Sequence, residues 1–439
     1  MTLAREAGGS ASTRQDGDDA VDHRTRRPCH PRSGATRALV SLAFSACAGH
    51  APSSPPAAPA APPASTPVVA STPYAPARNI LTASAAQRRA TLQRVLDAYR
   101  TRSAIPGAVM AAHFGDNLTI SVASGLADRE HGTPMPPEAR MLASGAAKTF
   151  FAALALELAG EGHLNLDTPI TAYLHGAPWL HRLPNADRVT SRMLMLQTSG
   201  YGSYTQAFYD DLAKDPLRPR EHLEILKNLF DATPKADPGA RFEASDLDYD
   251  LLAVVEEAAS HESPYAEIDR RFIHKLALHA TVPVHGPRVE GLVPGYLGPE
   301  SPVGNVLTSD GTLVVNPQYE WAGGGYVSTA ADLARWFAAY CRGEVLTPKQ
   351  WAEVVRGVDA PGGQWGLGLW IEHTPLGPAY RAQGMFPGYR TEVRWYRDLD
   401  LAVAIQVNIS DTDALPMVLD DVARTLSASP NGGNAAASF

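Results

Sequence analysis

The strongest hydrophobic pattern in the chain lies at residues 143–158. There Ala143-Ser144-Gly145-Ala146-Ala147-Lys148-Thr149-Phe150 runs into Phe151 to Leu158, interrupted only by Glu157. A segment apolar all round predicts a buried helix, and the small residues before it predict a loop that lets a ligand or another backbone come close. Upstream, Leu92, Val95, Leu96 and Tyr99 fall at helical spacing, and Ile105-Pro106-Gly107 ends that helix. Gly107 to Phe114 and Leu118 to Ala123 read as strands joined across Gly115-Asp116-Asn117, with a turn at Gly125 to Asp128.

Residues 170–280 read as mainly helical, introduced by Pro169 at a first helical position and including a helix from Tyr249 to Ala259. After Gly323-Gly324-Gly325 and a capped helix through Trp336, the pattern turns to strands. These are predicted at Gly366 to Ile371, Tyr380 to Gln383, Thr391 to Tyr396 and Leu401 to Asn408, with a last helix near Leu415 to Leu426. Strands at both ends around a helical middle predict an α+β fold: an antiparallel sheet flanked by helices, with a helical insertion. The expected boundaries are a sheet part at about 81–140 and 325–430, a helical part at about 141–324 and a tail at 431–439.

Composition adds a different kind of segment at the front. Ala51 to Ala77 is mostly Ala, Pro and Ser, so residues 48–80 are expected to be an extended tether. Before it, Arg24, Arg26, Arg27, Arg32 and Arg37 precede a short apolar stretch ending at Cys47. That order is similar to a lipoprotein export signal, which implies an exported, periplasmic or envelope protein lipid-anchored at Cys47. The competing reading is an Ala-rich leader with a chance Cys. Cys29, Cys47 and Cys341 have no metal-ligand spacing. The net charge is −8, while residues 1–47 carry seven Arg against five acids, leaving about −10 on the rest. This argues against nucleic acid as a partner.

The candidate chemistry centres on the 143–150 stretch. A helix start offers unpaired N–H groups and a positive dipole end, suited to an oxyanion. A Lys one turn in is placed to activate a Ser three residues before it. Here that position is Gly145, and the Ser stands one place earlier, at 144. One residue is about 100° of rotation and 1.5 Å of rise on a helix. Ser144 is therefore either a displaced nucleophile with Lys148 or a helix cap.

Several further motifs stand in order around this stretch. They are Gly162-His163-Leu164-Asn165-Leu166-Asp167-Thr168-Pro169-Ile170, Leu194-Met195-Leu196-Gln197-Thr198-Ser199-Gly200 and Pro238-Gly239-Ala240-Arg241-Phe242. Gly323-Gly324-Gly325, Ser328-Thr329-Ala330-Ala331-Asp332-Leu333 and Pro387-Gly388-Tyr389 follow. With Lys148-Thr149-Phe150, they make residues 85–425 resemble the penicillin-interacting serine enzymes, in particular the class C β-lactamase and DD-peptidase branch, which includes esterases.

The resemblance implies a Ser nucleophile at 145, a Tyr at 244 and a Lys or His at 382. This chain has Gly145, Ala244 and Ala382. Lys148 remains, Ser245 is retained, Asp246 stands for an Asn, and Gln383 and Gly384 follow Ala382. The backbone N–H groups of Gly145 and Met385 are the implied oxyanion donors. Gly145, Ser245, Asp246, Gln383, Gly384 and Met385 are accordingly the expected ligand-binding residues, with Lys148 hydrogen-bonded to Ser245 or Asp246. The expectation is an inactive homologue keeping a cleft for a small carboxylate or peptide, or contacting an envelope protein. The alternative is a weak esterase, amidase or peptidase using Ser144 and Lys148. No cofactor or metal is expected. His274, His279 and His285 are expected at the surface, and Trp321, Trp365, Trp370 and Trp395 in the core or cleft wall.

Overall fold

A computed structural model describes residues 83–298, 305–412 and 415–428. The expected leader, Cys47, the tether and the tail lie outside the described residues. Helix α1 (Ala85–Arg102) opens on a capping box, with Ser84 and Gln87 each accepting from the other's backbone N–H, and buries Leu92, Leu96 and Tyr99 along one stripe. Strands β1 (Gly107–Phe114) and β2 (Thr119–Asp128) then form a hairpin. The second strand runs through Gly125 to Asp128, which had been expected as a turn. Gly125 has φ +82° and lies tight against Pro106 and Gly107, so the chain stays in the ladder.

Two-residue strands β3 (Thr133–Pro134) and β4 (Met141–Leu142) precede helix α2 (Lys148–Glu161). Ten residues of α2, from Lys148 to Leu158, are buried, as its all-round apolar sequence requires. Burying side chains such as Phe150, Phe151 and Leu154 contributes about 1.5–3 kcal/mol each. The helix stops at Gly162, whose φ of +84° makes the left-handed cap that a side chain would disfavour. Across the helical middle, α3 (Asp246–Ser260) starts at Ser245, whose side chain accepts from the Asp248 N–H, with Asp246 and Asp248 in its first turn.

Strands β5 (Val282–Pro283) and β6 (Tyr326–Ser328) form a small sheet with β4. Helix α4 (Ala330–Arg342) packs Trp336 over Phe150 at 4.2 Å between ring centroids, and the Trp336 Nε1 donates to Thr149 Oγ1 at 2.8 Å. The chain then makes β7 (Val358–Ala360), β8 (Gly363–Trp365), β9 (Trp370–Thr374), β10 (Gly377–Phe386), β11 (Tyr389–Tyr396), β12 (Leu401–Val407) and helix α5 (Leu415–Ser427). Of the strand expected at 366–371, residues 366–369 are instead a turn between β8 and β9 and only Trp370 and Ile371 fall in β9, because Gly366 and Gly368 let the backbone fold tightly against Val354 and Ala152.

The large sheet is antiparallel, in the order β3-β2-β1-β12-β11-β10-β9-β8-β7, so the first and last long strands pair side by side. Both faces are covered. Val109 and Ala111 face the core shared with α2 and α4, while Ala108, Met110, Ala112 and Phe114 face α1 and α5. A strand covered on both faces loses polar alternation, which explains the continuous apolar reading of residues 107–114.

One irregularity positions the site. β9 pairs with β10 only as far as Arg381, which leaves Ala382 to Phe386 with an open edge. Phe386 pairs with Tyr389 across the two-residue Pro387-Gly388 turn. Alternation along an antiparallel ladder then points the backbone groups of Met385 and Gln383 off that edge. The 3₁₀ turn Ser144–Ala147, ahead of α2, packs against it.

Candidate active-site cleft

A cavity of about 280 Å³ opens where this turn, α3, the Gly323–Gly325 segment and the β10 edge meet. Ser144, Gly145, Lys148, Asp246, Gln383, Gly384 and Met385 all line it, as do Ala244 and Ala382. The sequence-expected residues are therefore brought together, apart from Ser245. That side chain caps α3 and donates to the Gly202 carbonyl at 2.9 Å, and it is absent from the cavity lining.

Lys148 is buried and held by two acceptors. Its Nζ donates to Asp246 Oδ1 and to the Gly323 carbonyl, both at 2.6 Å. The expected partner Asp246 is thus found and Ser245 is not. Glycines allow this approach: a Cβ on Gly323 would lie 2.9 Å from the Asp246 Cβ, and one on Gly324 would lie 2.8 Å from the Ser144 carbonyl carbon. Beneath them, Asp250 Oδ1 accepts from the Ala322 and Gly323 N–H groups, at 3.1 Å each. Burial pushes the Asp250 carboxyl well above the usual range, and the nearby Asp246 adds to the shift.

Ser144 and Gly145, adjacent in sequence, face different corners. Ser144 does not cap a helix; the 3₁₀ turn has no side-chain cap. The backbone of Ser144 is left-handed, at φ +44°, and its Oγ donates to the Met385 carbonyl at 2.8 Å and to Glu320 Oε1 at 3.3 Å. It makes no hydrogen bond to Lys148, which takes its acceptors elsewhere. A Cβ on Gly145 is what would face Lys148, 3.5 Å from Nζ, but it would also lie 2.9 Å from the Gln383 carbonyl oxygen. Real Cβ atoms avoid contacts below 3.0 Å, so a side chain at 145 would need β10 to shift slightly at the Gln383 carbonyl. Gly384 has no slack either, since its Cβ would meet the Ala143 carbonyl at 2.0 Å.

Glu320 carried no signal in the sequence; among the described residues it has no salt bridge, although Lys148 lies within electrostatic reach. It sits at the end of a short 3₁₀ turn, followed by Trp321 at φ +31°. The Trp321 ring stacks on His222, and Tyr265 Oη donates to the Trp321 carbonyl at 3.2 Å. These contacts aim the preceding side chain inward. Burial pushes the Glu320 carboxyl up to about 8, Asp246 raises it further, and Lys148 and Ser144 pull it back. Its Oε2 is shielded from solvent and accepts no hydrogen bond. Glu392, also lining the cavity, is pushed up to about 7 by burial against the opposing pull of Arg381 and Arg394.

The far wall is aromatic. Trp365 and Trp370 meet edge to face at 5.2 Å, with Phe242 at 5.8 Å from the first and 5.9 Å from the second. Trp321 and Trp395 are core residues, and His274, His279 and His285 are exposed, as expected. Among the described residues no group of three His, Cys, Asp or Glu side chains could hold a metal. No helix among them is long and apolar enough to cross a membrane.

A two-sided sheet with a helical insertion, and a helix-mouth Lys under an open strand edge, define the serine β-lactamase and transpeptidase class of folds. The β-lactamase family model matches residues 92–425, and the chain belongs to that family of serine hydrolase-related proteins. Esterase EstB from Burkholderia gladioli is 28% identical over 318 residues, covering 65% of this chain and 79% of the esterase. A D-stereospecific amidohydrolase from Streptomyces sp. superposes with a TM-score of 0.66 at 25% identity, covering 76% of this chain and 97% of that one. The octameric penicillin-binding protein homologue from Pyrococcus abyssi shares the fold at a TM-score of 0.65 and 21% identity, with 78% of each chain covered.

Proposed function

We propose that this chain is a non-acylating member of the family, which holds a small ligand in the cleft without cutting it. The observation that carries this reading is the closure at Gly145. The residue facing Lys148 has no side chain, the Gln383 carbonyl stands where a Cβ would need room, and Lys148 is held by Asp246 and the Gly323 carbonyl. Nucleophilic catalysis needs a hydroxyl within reach of its base and of the oxyanion donors. Ala244 and Ala382 supply no proton-transfer group. The off-edge backbone of Met385 and the aromatic wall still suit a carbonyl-containing ligand such as a small amide, ester or peptide. The named activities of the esterase and amidohydrolase relatives point to the same substrate classes.

A second reading rests on Ser144. It lines the cavity in a strained backbone conformation beside a carboxyl group, and strain of this kind collects at functional sites. In that reading the chain is a weak esterase or amidase. Steady-state assays with a chromogenic cephalosporin, a nitrophenyl butyrate ester and a D-amino acid anilide separate the two. The expected result is no turnover above the rate of Ser144→Ala; turnover abolished by that substitution would favour the second reading. As part of the same proposal, residues 1–47 act as an export leader with lipid attachment at Cys47, and residues 48–80 as a tether. Metabolic labelling with a palmitate analogue, lost on Cys47→Ala, tests this.

A further inference from the structure

We infer that Glu320 is the anchor of the cleft for a ligand's primary ammonium group, with the ligand's apolar body lying toward Phe242 and Trp365. This deepens the binding reading above and rests on it. The geometry is a matter of unspent hydrogen-bonding capacity. Of the charged side chains lining the cavity, Lys148 is paired with Asp246 and donates to the Gly323 carbonyl, Arg390 donates to the Thr412 carbonyl, and Glu392 has Arg381 close by. Glu320 Oε1 has a single 3.3 Å contact with Ser144 Oγ, and its Oε2, shielded from solvent on the side of Gly324, has no partner among the described residues. A buried acceptor left without a donor is a costly arrangement, and its cost falls when a ligand supplies the donor.

The ammonium group fits better than the alternatives. It brings three donors and the charge that a carboxylate deep in a cavity lacks. Arg381 already lies over Trp370, leaving Phe242 and Trp365 on the far wall for the ligand's apolar body. A ligand carboxylate would instead meet Asp246, Glu320 and Glu392 together. The groups facing Glu320 are Ser144 on the 3₁₀ turn, Lys148 on α2 and Asp246 on α3, with Tyr204 and Tyr265 also within electrostatic reach.

Binding and protonation are therefore linked. Burial holds the Glu320 carboxyl near 8, so at neutral pH an arriving ammonium must displace a proton. Affinity rises with pH until the carboxyl is ionised, and for a group titrating at about 8 the gain between pH 6 and pH 9 is up to about ninety-fold. A carboxylate ligand held by protonated Glu320 would show the opposite slope.

The test is calorimetric titration of the full chain with phenethylamine, which stays largely protonated over this range, and with 3-phenylpropionate, at pH 6, 7.5 and 9. The assignment predicts that phenethylamine binds, that its affinity climbs with pH, and that the apparent enthalpy at pH 7 varies with the buffer because a proton is released. Glu320→Gln should abolish the buffer dependence and flatten the slope; any slope left belongs to Glu392. Binding of the amine with no pH slope, or a slope unchanged in Glu320→Gln, overturns the assignment while the cleft remains a binding site. Binding of 3-phenylpropionate alone also overturns it. Failure of both compounds to bind removes the binding reading and the assignment with it.

Discussion

The two corners of the cleft, built around Lys148 on α2 and around Glu320 on the 3₁₀ turn before Trp321, are opposite in character, and the adjacent residues Gly145 and Ser144 face one each. At the Lys148 corner the ammonium has two close acceptors, and glycines at 145, 323 and 324 allow the backbone to approach. That corner holds an ion pair between Lys148 and Asp246. At the Glu320 corner a carboxyl sits with one oxygen unpartnered, beside a serine whose backbone is strained. The difference teaches that a charged group met by close-packed backbone and a counter-ion is satisfied, whereas a buried carboxyl without them keeps unmet hydrogen-bonding capacity.

The largest effect is expected where that comparison is reversed, by removing the unsatisfied charge. The folded-state value of Glu320 lies near 8 against an ordinary value of 4.5. Its raised value favours folding below about pH 4.5, relative to higher pH, and that advantage is lost as pH rises toward 8. Glu320→Gln should therefore match the parent in stability near pH 4.5 and exceed it by about 2–4 kcal/mol at pH 8. Urea denaturation at the two pH values measures this; equal differences at both would mean that Glu320 is better solvated than its surroundings suggest.

Breaking the Lys148 corner comes next. Lys148→Met removes the cation from Asp246 and the donor from the buried Gly323 carbonyl. Because the Asp246 side chain is 45% exposed, water can replace part of the loss, and the expected cost is about 2–3 kcal/mol. The melting temperature should fall at every pH between 5 and 9. Gly145→Ser should cost less, about 1–2 kcal/mol, since β10 must give way by a few tenths of an ångström at the Gln383 carbonyl. It should also fail to create a hydrolase, because Ala244 and Ala382 are unchanged; efficient ester turnover by this variant would show that Lys148 alone can serve as base. Ser144→Ala is the mildest. It strips the Met385 carbonyl of a 2.8 Å hydrogen bond at a cost of about 1 kcal/mol, read by chemical denaturation.

The legible part of the molecule is the part governed by local pattern. The run at 151–158 became α2 because a helix apolar on all sides has to be buried. The strands at 107–114 and 401–407 became neighbours in the sheet, each an apolar run that only a doubly covered sheet accommodates. The losses at Gly145, Ala244 and Ala382 could be read because they fall at fixed distances from Lys148 and from the ordered motifs. Other features were set by tertiary contacts that leave no periodic trace. Ser144 reads as a cap, but its left-handed backbone turns the hydroxyl onto the β10 edge. Ser245 reads as a ligand contact, yet the start of α3 and the Gly202 carbonyl take its side chain. Glu320 carries no pattern in the sequence; it lines the cleft only in the folded chain, beside Trp321 stacked on His222 and against Gly324.

The central claim is that the Lys148 corner no longer supports acyl transfer, and intact-mass spectrometry tests it most directly. The full chain would be incubated with benzylpenicillin and, separately, with an ester-type phosphonate that traps serine nucleophiles covalently. The account predicts an unchanged mass with both reagents. A stoichiometric adduct that disappears in Ser144→Ala would contradict it, and would make Ser144 a working nucleophile.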